Sequence, residues 1–358
     1  MTSGRRYFFV AADTNVPSGG RQYIYTAVSI LRDLGYDARV LHASAGFSYT
    51  WFEHDVPVAF IRPSSLWSGQ AKHLPRDIVR FVRRSFKAWS FRVRADTRPV
   101  QLTADDVVVL PETDIATQKY YGDVKIVIFN QNGFYLADVL ALRGGVPGGL
   151  LAVVSTSVLS DAYARSFDMP NCRAVPYVIE AEAFAYQSEK QRQIAYMPRK
   201  RGREAGKIAQ LLELRGRLDG FELVAIDGVS KEDAARLISQ SLIFISLSER
   251  EGFGLPPAEA MATGSIVVGY TGHGGREFFT ADTGIVLEDG DMLGVVEAVE
   301  AVIAEYGRDP VGVDARRAAA SKFIHQRYSQ AAAVAAFEAV WGEIDSLADE
   351  GARSRRDQ

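Results

Sequence analysis

The stretch Ser241–Gly275, SLIFISLSEREGFGLPPAEAMATGSIVVGYTGHGG, decides how the rest of the chain is read. Leu242 to Leu247 is an apolar run of strand length with polar residues on both sides, which suits a strand buried on both faces of a parallel sheet. Beyond it, Pro256 and Pro257 lead into good helix formers from Ala258 to Ala262, and Gly264 stands where a helix ends. The pattern predicts a helix from about Pro257 with Glu259 in its first turn. Free backbone amides and the helix dipole make such a start electropositive, suited to an anion or to a carboxylate that accepts hydrogen bonds from a ligand. Gly252 and Gly254 let the backbone come close to that ligand. In an open α/β sheet the ligand crevice lies past the carboxyl ends of the strands, where this loop falls.

Two glutamates eight positions apart, Glu251 and Glu259, thus bracket Gly252, Phe253, Gly254, Leu255 and the two prolines. With the following Ala-Met-Ala-x-Gly and with Gly274-Gly275-x-Glu277, they resemble the E-x7-E signature of retaining GT-B glycosyltransferases of the GT4 type. The resemblance implies an α/β chain of GT-B architecture, two Rossmann-like doubly wound parallel-sheet domains facing a cleft. It implies that Glu251 meets the transferred sugar and Glu259 the ribose of the donor. Gly252, Phe253, Gly254, Leu255, Gly274, Gly275 and Glu277 would lie along the same donor. The plainer reading of these residues is a surface loop and a capped helix whose glutamates suit the dipole.

A length of 358 residues suits about two domains. With 47% hydrophobic and 24% charged residues the composition is that of a globular protein with two full cores. A net charge of -3 argues against a dedicated nucleic-acid binder, which is normally basic overall. Cys172 is the only cysteine, so no intrachain disulfide or thiolate cluster can form, in keeping with a reducing cytoplasm. The start has too short an apolar core for a signal peptide, and no run approaches the ~18 apolar residues a membrane span needs. Cytoplasmic location, with membrane work done at the inner face, is the expectation.

Tyr7 to Ala12 reads as a buried strand, Asn15 to Gly20 as a glycine-rich turn, Arg21 to Leu34 as a helix and Ala38 to His42 as a second strand, a βαβ unit. Gly19 and Gly20 are similar to the first loop of GT-B enzymes, where donor phosphates and acceptor pass close to the backbone; any tight strand-to-helix turn would choose glycine as well. Residues 72–98 hold nine Lys or Arg against Asp77 and Asp96, with Ile78, Val82, Phe86 and Trp89 at helical spacing. Such a helix can pack on a sheet or rest on an anionic leaflet, and both readings stay open. Further strands are expected at Val107 to Leu110, Lys125 to Phe129, Leu150 to Val154 and Ala174 to Ile179. Glu112 and Asn130, Gln131 and Asn132 close two of their edges. The amides can bond sugar hydroxyls or cap the helix from Phe134 to Leu142, but they cannot act as a base. Relatives in the family often carry a histidine there.

In the second half, the strand at Ile194 runs into the cationic turn Arg199-Lys200-Arg201, with Arg203 and Lys207 beyond. Fixed cations here would stabilise the charge that grows on a departing diphosphate. The family's Gly-Arg and later Lys imply Arg199 and Lys200 for that work, with Lys207 also in reach, although Pro198 stands where Gly is common. Phe221 to Ile226, Ser265 to Tyr270 and Gly284 to Leu287 are further strands. Asp289-Gly290-Asp291 reads as a helix cap at Asp291, so no metal is assigned. His273 reads as a turn residue.

The domains expected are 1–180 for the acceptor, 181–328 for the nucleotide sugar, a helix 329–350 returning to the first domain, and a tail 351–358. The function implied is retaining, metal-independent transfer of a sugar from a nucleotide diphosphate donor, needing no further cofactor, to a saccharide or lipid-linked saccharide hydroxyl, as in polysaccharide or other glycoconjugate synthesis. A GT-B nucleotide-sugar epimerase and a non-catalytic nucleotide-sugar binder are the alternatives. A dinucleotide oxidoreductase ranks last, for no strand runs into G-x-G-x-x-G.

Overall fold

The computed structural model describes residues 4–61 and 99–356, and side chains as far as Glu350. The basic stretch 72–98 lies outside the described residues. Two compact units emerge: unit 1 from Met1–Ser155, Asp161–Val175 and Val334–Gln358, and unit 2 from Thr156–Ser160 and Pro176–Ala333.

Unit 1 is built from β1 (Arg6–Val10), α1 (Gly19–Asp33), β2 (Asp37–His42), β3 (Val58–Phe60), β4 (Val107–Pro111), a 3-10 helix (Glu112–Tyr120), β5 (Lys125–Asn130), α2 (Gly133–Arg143), β6 (Leu150–Ser155), α3 (Val158–Ser166, its first residues counted with unit 2) and β7 (Cys172–Ala174). Its seven strands pair in the order β3-β2-β1-β4-β5-β6-β7, with every pairing parallel. The near-continuous apolar runs of β1, β4 and β5 explain this, because a parallel sheet covered on both faces hides both sides of each strand. Phe8, Val108, Ile128 and Leu136 sit in its core. From Val334 onward α9 (Gln330–Arg356) belongs to this unit, and Trp341 stacks on Phe9 at 5.8 Å.

Unit 2 comprises β8 (Gln191–Tyr196), α4 (Gly202–Arg215), β9 (Glu222–Ala225), α5 (Lys231–Gln240), β10 (Ser241–Glu251), α6 (Leu255–Ala262), β11 (Ile266–His273), a 3-10 turn (Gly274–Glu277), β12 (Ile285–Val286), α7 (Met292–Arg308) and α8 (Pro310–Arg327). Its parallel strands run β12-β11-β10-β8-β9. Each sheet is doubly wound, with the strand order reversing between β1 and β4 in unit 1 and between β8 and β10 in unit 2. At such reversals the loops after neighbouring strands leave in opposite directions and open a crevice at the carboxyl ends.

Three expectations change. The last strand of unit 1 is Cys172–Ala174 rather than 174–179, for Pro176 lacks the N–H that a ladder needs. β10 continues past Leu247 to Glu251, its polar end pairing Ser248 with Thr271 and Glu251 with His273. The helix after it starts at Leu255, not Pro257, which moves Glu259 out of the first turn into the second. Both prolines then sit where helical N–H groups have no partner, which is why the helix tolerates them. They also remove amides that an anion would need, so the electropositive trap expected there is weaker. Gly264 ends the helix with φ +84°, its N–H donating to the Met261 carbonyl at 2.9 Å.

Candidate functional site

In unit 2 the crevice at the strand-order reversal is flanked by the turn after β8 and the end of β10. The register of β10 against β11 shifts between Ser248 and Glu251, and Arg250 within that shift has φ +46°. This bulge turns the strand end, as extra residues in a ladder do. Lys200 Nζ donates to Glu251 Oε1 at 2.6 Å, bringing together two of the residues predicted from sequence. Their side chains are 35% and 23% exposed, so a ligand can reach both.

The other cations of the turn separate into two kinds. Arg201 is committed: it pairs with Glu204 at 2.9 Å and Asp289 at 2.6 Å and lies over the Tyr270 ring. Tyr270 itself donates to Glu204 at 2.6 Å. Arg199 and Lys207 are exposed and make no ion pair among the described residues. Asp291 caps α7 by accepting from the Gly294 N–H at 2.8 Å, while Asp289 holds Arg201. The Asp-Gly-Asp stretch is thus fully employed in structure. Among the described residues no group of three or more His, Cys, Asp or Glu could hold a metal.

Behind Glu251 the backbone is packed so closely that side chains are excluded. A Cβ on Gly274 would fall 2.3 Å from the Gly252 carbonyl oxygen, and one on Gly269 would fall 2.3 Å from that of Ser246. Gly272, at φ +59°, would place a Cβ 3.0 Å from Glu251 Cγ. Gly274 therefore seats the Glu251–Gly252 turn directly on the 3-10 turn. Phe253 is 3% exposed and stacks on Tyr177 at 4.8 Å, with Phe278 and Tyr328 on its other sides. Its side chain is a buried plug, so only its backbone can meet a ligand. Gly254, at φ +101°, and buried Gly275 complete the same wall.

Glu277 accepts from the Val158 N–H at 2.7 Å and from Tyr328 OH at 2.9 Å, and burial pushes its carboxyl up. It anchors the loop, one of the two roles open to it from sequence. Glu259 has part of its side chain at the surface while protein encloses its carboxyl, and that burial pushes it up to about 7. Lys231 opposes the shift and Glu180 adds to it, and these two pair with each other at 3.1 Å. Neither is legible as a site neighbour from sequence, because they lie on segments distant from the Glu251–Glu259 stretch.

In unit 1 the reversal lies between the glycine turn after β1 and the end of β4. Gly19 and Gly20 open α1, and Gln131 Oε1 lies 2.7 Å from where a Gly20 Cβ would be. Glu112 accepts from the Gln131 N–H at 3.0 Å, and burial pushes its carboxyl up to about 7. Asn132 caps α2 by accepting from the Phe134 N–H at 3.0 Å, the structural of its two readings, and Asn130 donates to Ser155 Oγ at 3.2 Å. His42, buried at the end of β2, contacts Asp13 Oδ1 at 2.8 Å and Tyr25 OH at 2.8 Å. This tie between the β1 loop and α1 was not legible in advance. No described helix is long and apolar enough to cross a membrane.

Residues 222–320 match the family model described as Glycosyl transferases group 1. Over 186 residues the chain is 28% identical to the Alpha-1,6-glucosyltransferase of Actinobacillus pleuropneumoniae serotype 7, a match covering 49% of this chain and 55% of that protein. The chain thus spans little more than half the length of this curated relative. Among solved structures, sucrose-phosphate synthase from Thermosynechococcus elongatus superposes with a TM-score of 0.66 at 13% identity, covering 96% of this chain and 99% of that one. Anabaena HepE, in complex with UDP and glucose, gives 0.60 at 12% identity over 99% and 100% of the two chains. The fold is the two-domain, Rossmann-like GT-B fold, and residues 222–320 are similar to group 1 glycosyl transferases.

Proposed function

We propose that this chain is a retaining glycosyltransferase of the GT4 type that moves a sugar from a nucleotide diphosphate donor to a hydroxyl of a saccharide or lipid-linked saccharide. The observation that carries the reading is the meeting of Lys200 and Glu251 across the β8–β10 reversal, within unit 2. Lys200 and Arg199 hold the diphosphate, Glu251 accepts from sugar hydroxyls and Glu259 accepts from the ribose. As the bond from the anomeric carbon to phosphate breaks, negative charge grows on the leaving oxygen, and the fixed cations stabilise it without a metal. The acceptor oxygen bonds to the same face of the anomeric carbon, and its proton passes to the departing phosphate. Positioning accounts for the remaining acceleration. The sugar-nucleotide chemistry of the relatives, a glucosyltransferase and a protein crystallised with UDP and glucose, favours a hexosyl donor carried on UDP. The place of action in this reading is the cytoplasm, where nucleotide sugars are used.

A thermal-shift screen of nucleoside diphosphates and their sugars tests this, because a ligand bound only by the folded chain raises its melting temperature. The expected result is a shift with UDP that Glu259→Ala abolishes. Product from the stabilising donor, read by NMR, should keep the donor's anomeric configuration. Inverted product would end the retaining assignment, and a new nucleotide sugar formed with no acceptor present would make the chain an epimerase.

A further inference from the structure

The Lys200–Glu251 ion pair joins the group assigned to the diphosphate with the group assigned to the sugar. The ammonium rests on one oxygen of the carboxylate that sugar hydroxyls would use. Arg201 cannot take over, being held by Glu204 and Asp289. The bulge at Arg250 turns the end of β10, where Glu251 meets Lys200 from the turn after β8.

We infer that the Lys200–Glu251 pair makes the site discriminate a complete nucleotide sugar from the nucleoside diphosphate that the reaction leaves behind. The inference rests on the proposed function and deepens it. A nucleotide sugar gives both members new partners at once: phosphate oxygens for Lys200, hydroxyl donors for Glu251. A nucleoside diphosphate takes Lys200 alone and leaves a half-buried carboxylate without its donor, a state that costs free energy. The product is therefore bound less well than its phosphates alone would allow, which favours its release after transfer.

The test measures UDP and UDP-glucose binding by titration calorimetry to the full chain, with Glu251→Gln, Lys200→Met and the double variant. A partly exposed pair is worth little, so Glu251→Gln is expected to bind UDP about two- to fivefold tighter than wild type. UDP-glucose, which loses a hydroxyl acceptor in the same variant, should not tighten. In the Lys200→Met background Glu251→Gln should leave UDP affinity unchanged, since there is no ammonium to release. Glu251→Ala is run alongside and should shift UDP binding in the same direction, with ligand-free melting reporting folding for every variant. Unchanged or weaker UDP binding in both folded Glu251 variants overturns the inference alone. So does equal tightening with Lys200 absent, which would reflect only the loss of a negative charge. A wild-type chain that binds neither UDP nor UDP-glucose overturns the proposed UDP-sugar function and this inference together.

Discussion

Each unit uses glycine near its strand-order reversal, within and just after β11 in unit 2 and at the start of α1 in unit 1, but for different physical reasons. In unit 2, Gly269 and Gly274 lie against carbonyl oxygens of neighbouring backbone, each 2.3 Å from where a Cβ would stand. In unit 1, Gly20 lies against Gln131 Oε1, the tip of a side chain. Backbone held in a sheet cannot move aside, whereas an amide tip can rotate. Glycine in unit 2 is thus a requirement of folding. At Gly20 it is open to a different explanation, the passage of a ligand.

The largest effect expected from this contrast is that of Gly274→Ala. A methyl group there meets the carbonyls of both Gly252 and Glu251, so the Glu251 turn must leave its seat. A loss of about 3 kcal/mol is expected, at the upper end of overpacking costs. Urea unfolding measures it; a variant within 1 kcal/mol of wild type would mean that the two turns are not in contact.

The two buried carboxyls sharpen the comparison next. Glu112 in unit 1 is pushed by burial from an ordinary 4.5 to about 7, against the pull of its hydrogen bond from the Gln131 N–H. Between those values the folded chain holds a proton that the unfolded chain has released. The stability this group contributes is full below about 4.5 and is lost as the pH rises through about 7. Glu112→Gln keeps an acceptor and cannot ionise, so at pH 8 it should be more stable than wild type by about 2 kcal/mol, with a flatter profile from pH 5. Parallel profiles would refute it. Glu259 shares the shift to about 7, and in the proposed reading its carboxylate accepts from the ribose, so UDP binding should strengthen as the pH rises through about 7. Glu259→Gln should flatten that rise.

His273 carries the third effect. Its φ of +69° with ψ of −51° lies in the strained γ-turn region, which side-chain-bearing residues rarely occupy. His273→Gly relieves that strain and pays the entropy that glycine loses on folding. The net expectation is a gain of about 1 kcal/mol, read as a higher melting temperature. A loss would show that the histidine side chain contributes more than its backbone strain costs.

What could be read in advance follows the range of the forces involved. Apolar runs marked the strands of both sheets because burial on two faces is written locally in each strand. Caps at Asn132 and Asp291, and the glycine stop at Gly264, were legible because their partners lie within a few residues. The polar end of β10 was not, since Ser248-Glu249-Arg250-Glu251 reads as loop and is held to β11 through the pairs Ser248–Thr271 and Glu251–His273 on either side of the bulge. Nor could the charge run after β8 reveal that Arg201 pairs with Asp289 while Lys200 pairs with Glu251. Their partners Asp289 and Glu251 lie far along the chain, and only the folded sheet brings them near.

The smallest effect on folding is expected at Gly20, and there the contrast between the units becomes a test of function. Gly20 is the second residue of α1 and has a helical neighbour on each side, so alanine suits its backbone at least as well as glycine. Its methyl displaces only the Gln131 amide tip, and the two contributions should leave Gly20→Ala within about 1 kcal/mol of wild type. In the proposed reading, any larger loss of transfer must then come from what passes over the turn. With the donor saturating, a raised KM for acceptor beside an unchanged melting temperature would assign the turn to the acceptor. Unchanged kinetics would reduce Gly20 to a tight turn between strand and helix. In that case the contrast would rest on Gly269 and Gly274, which backbone packing requires.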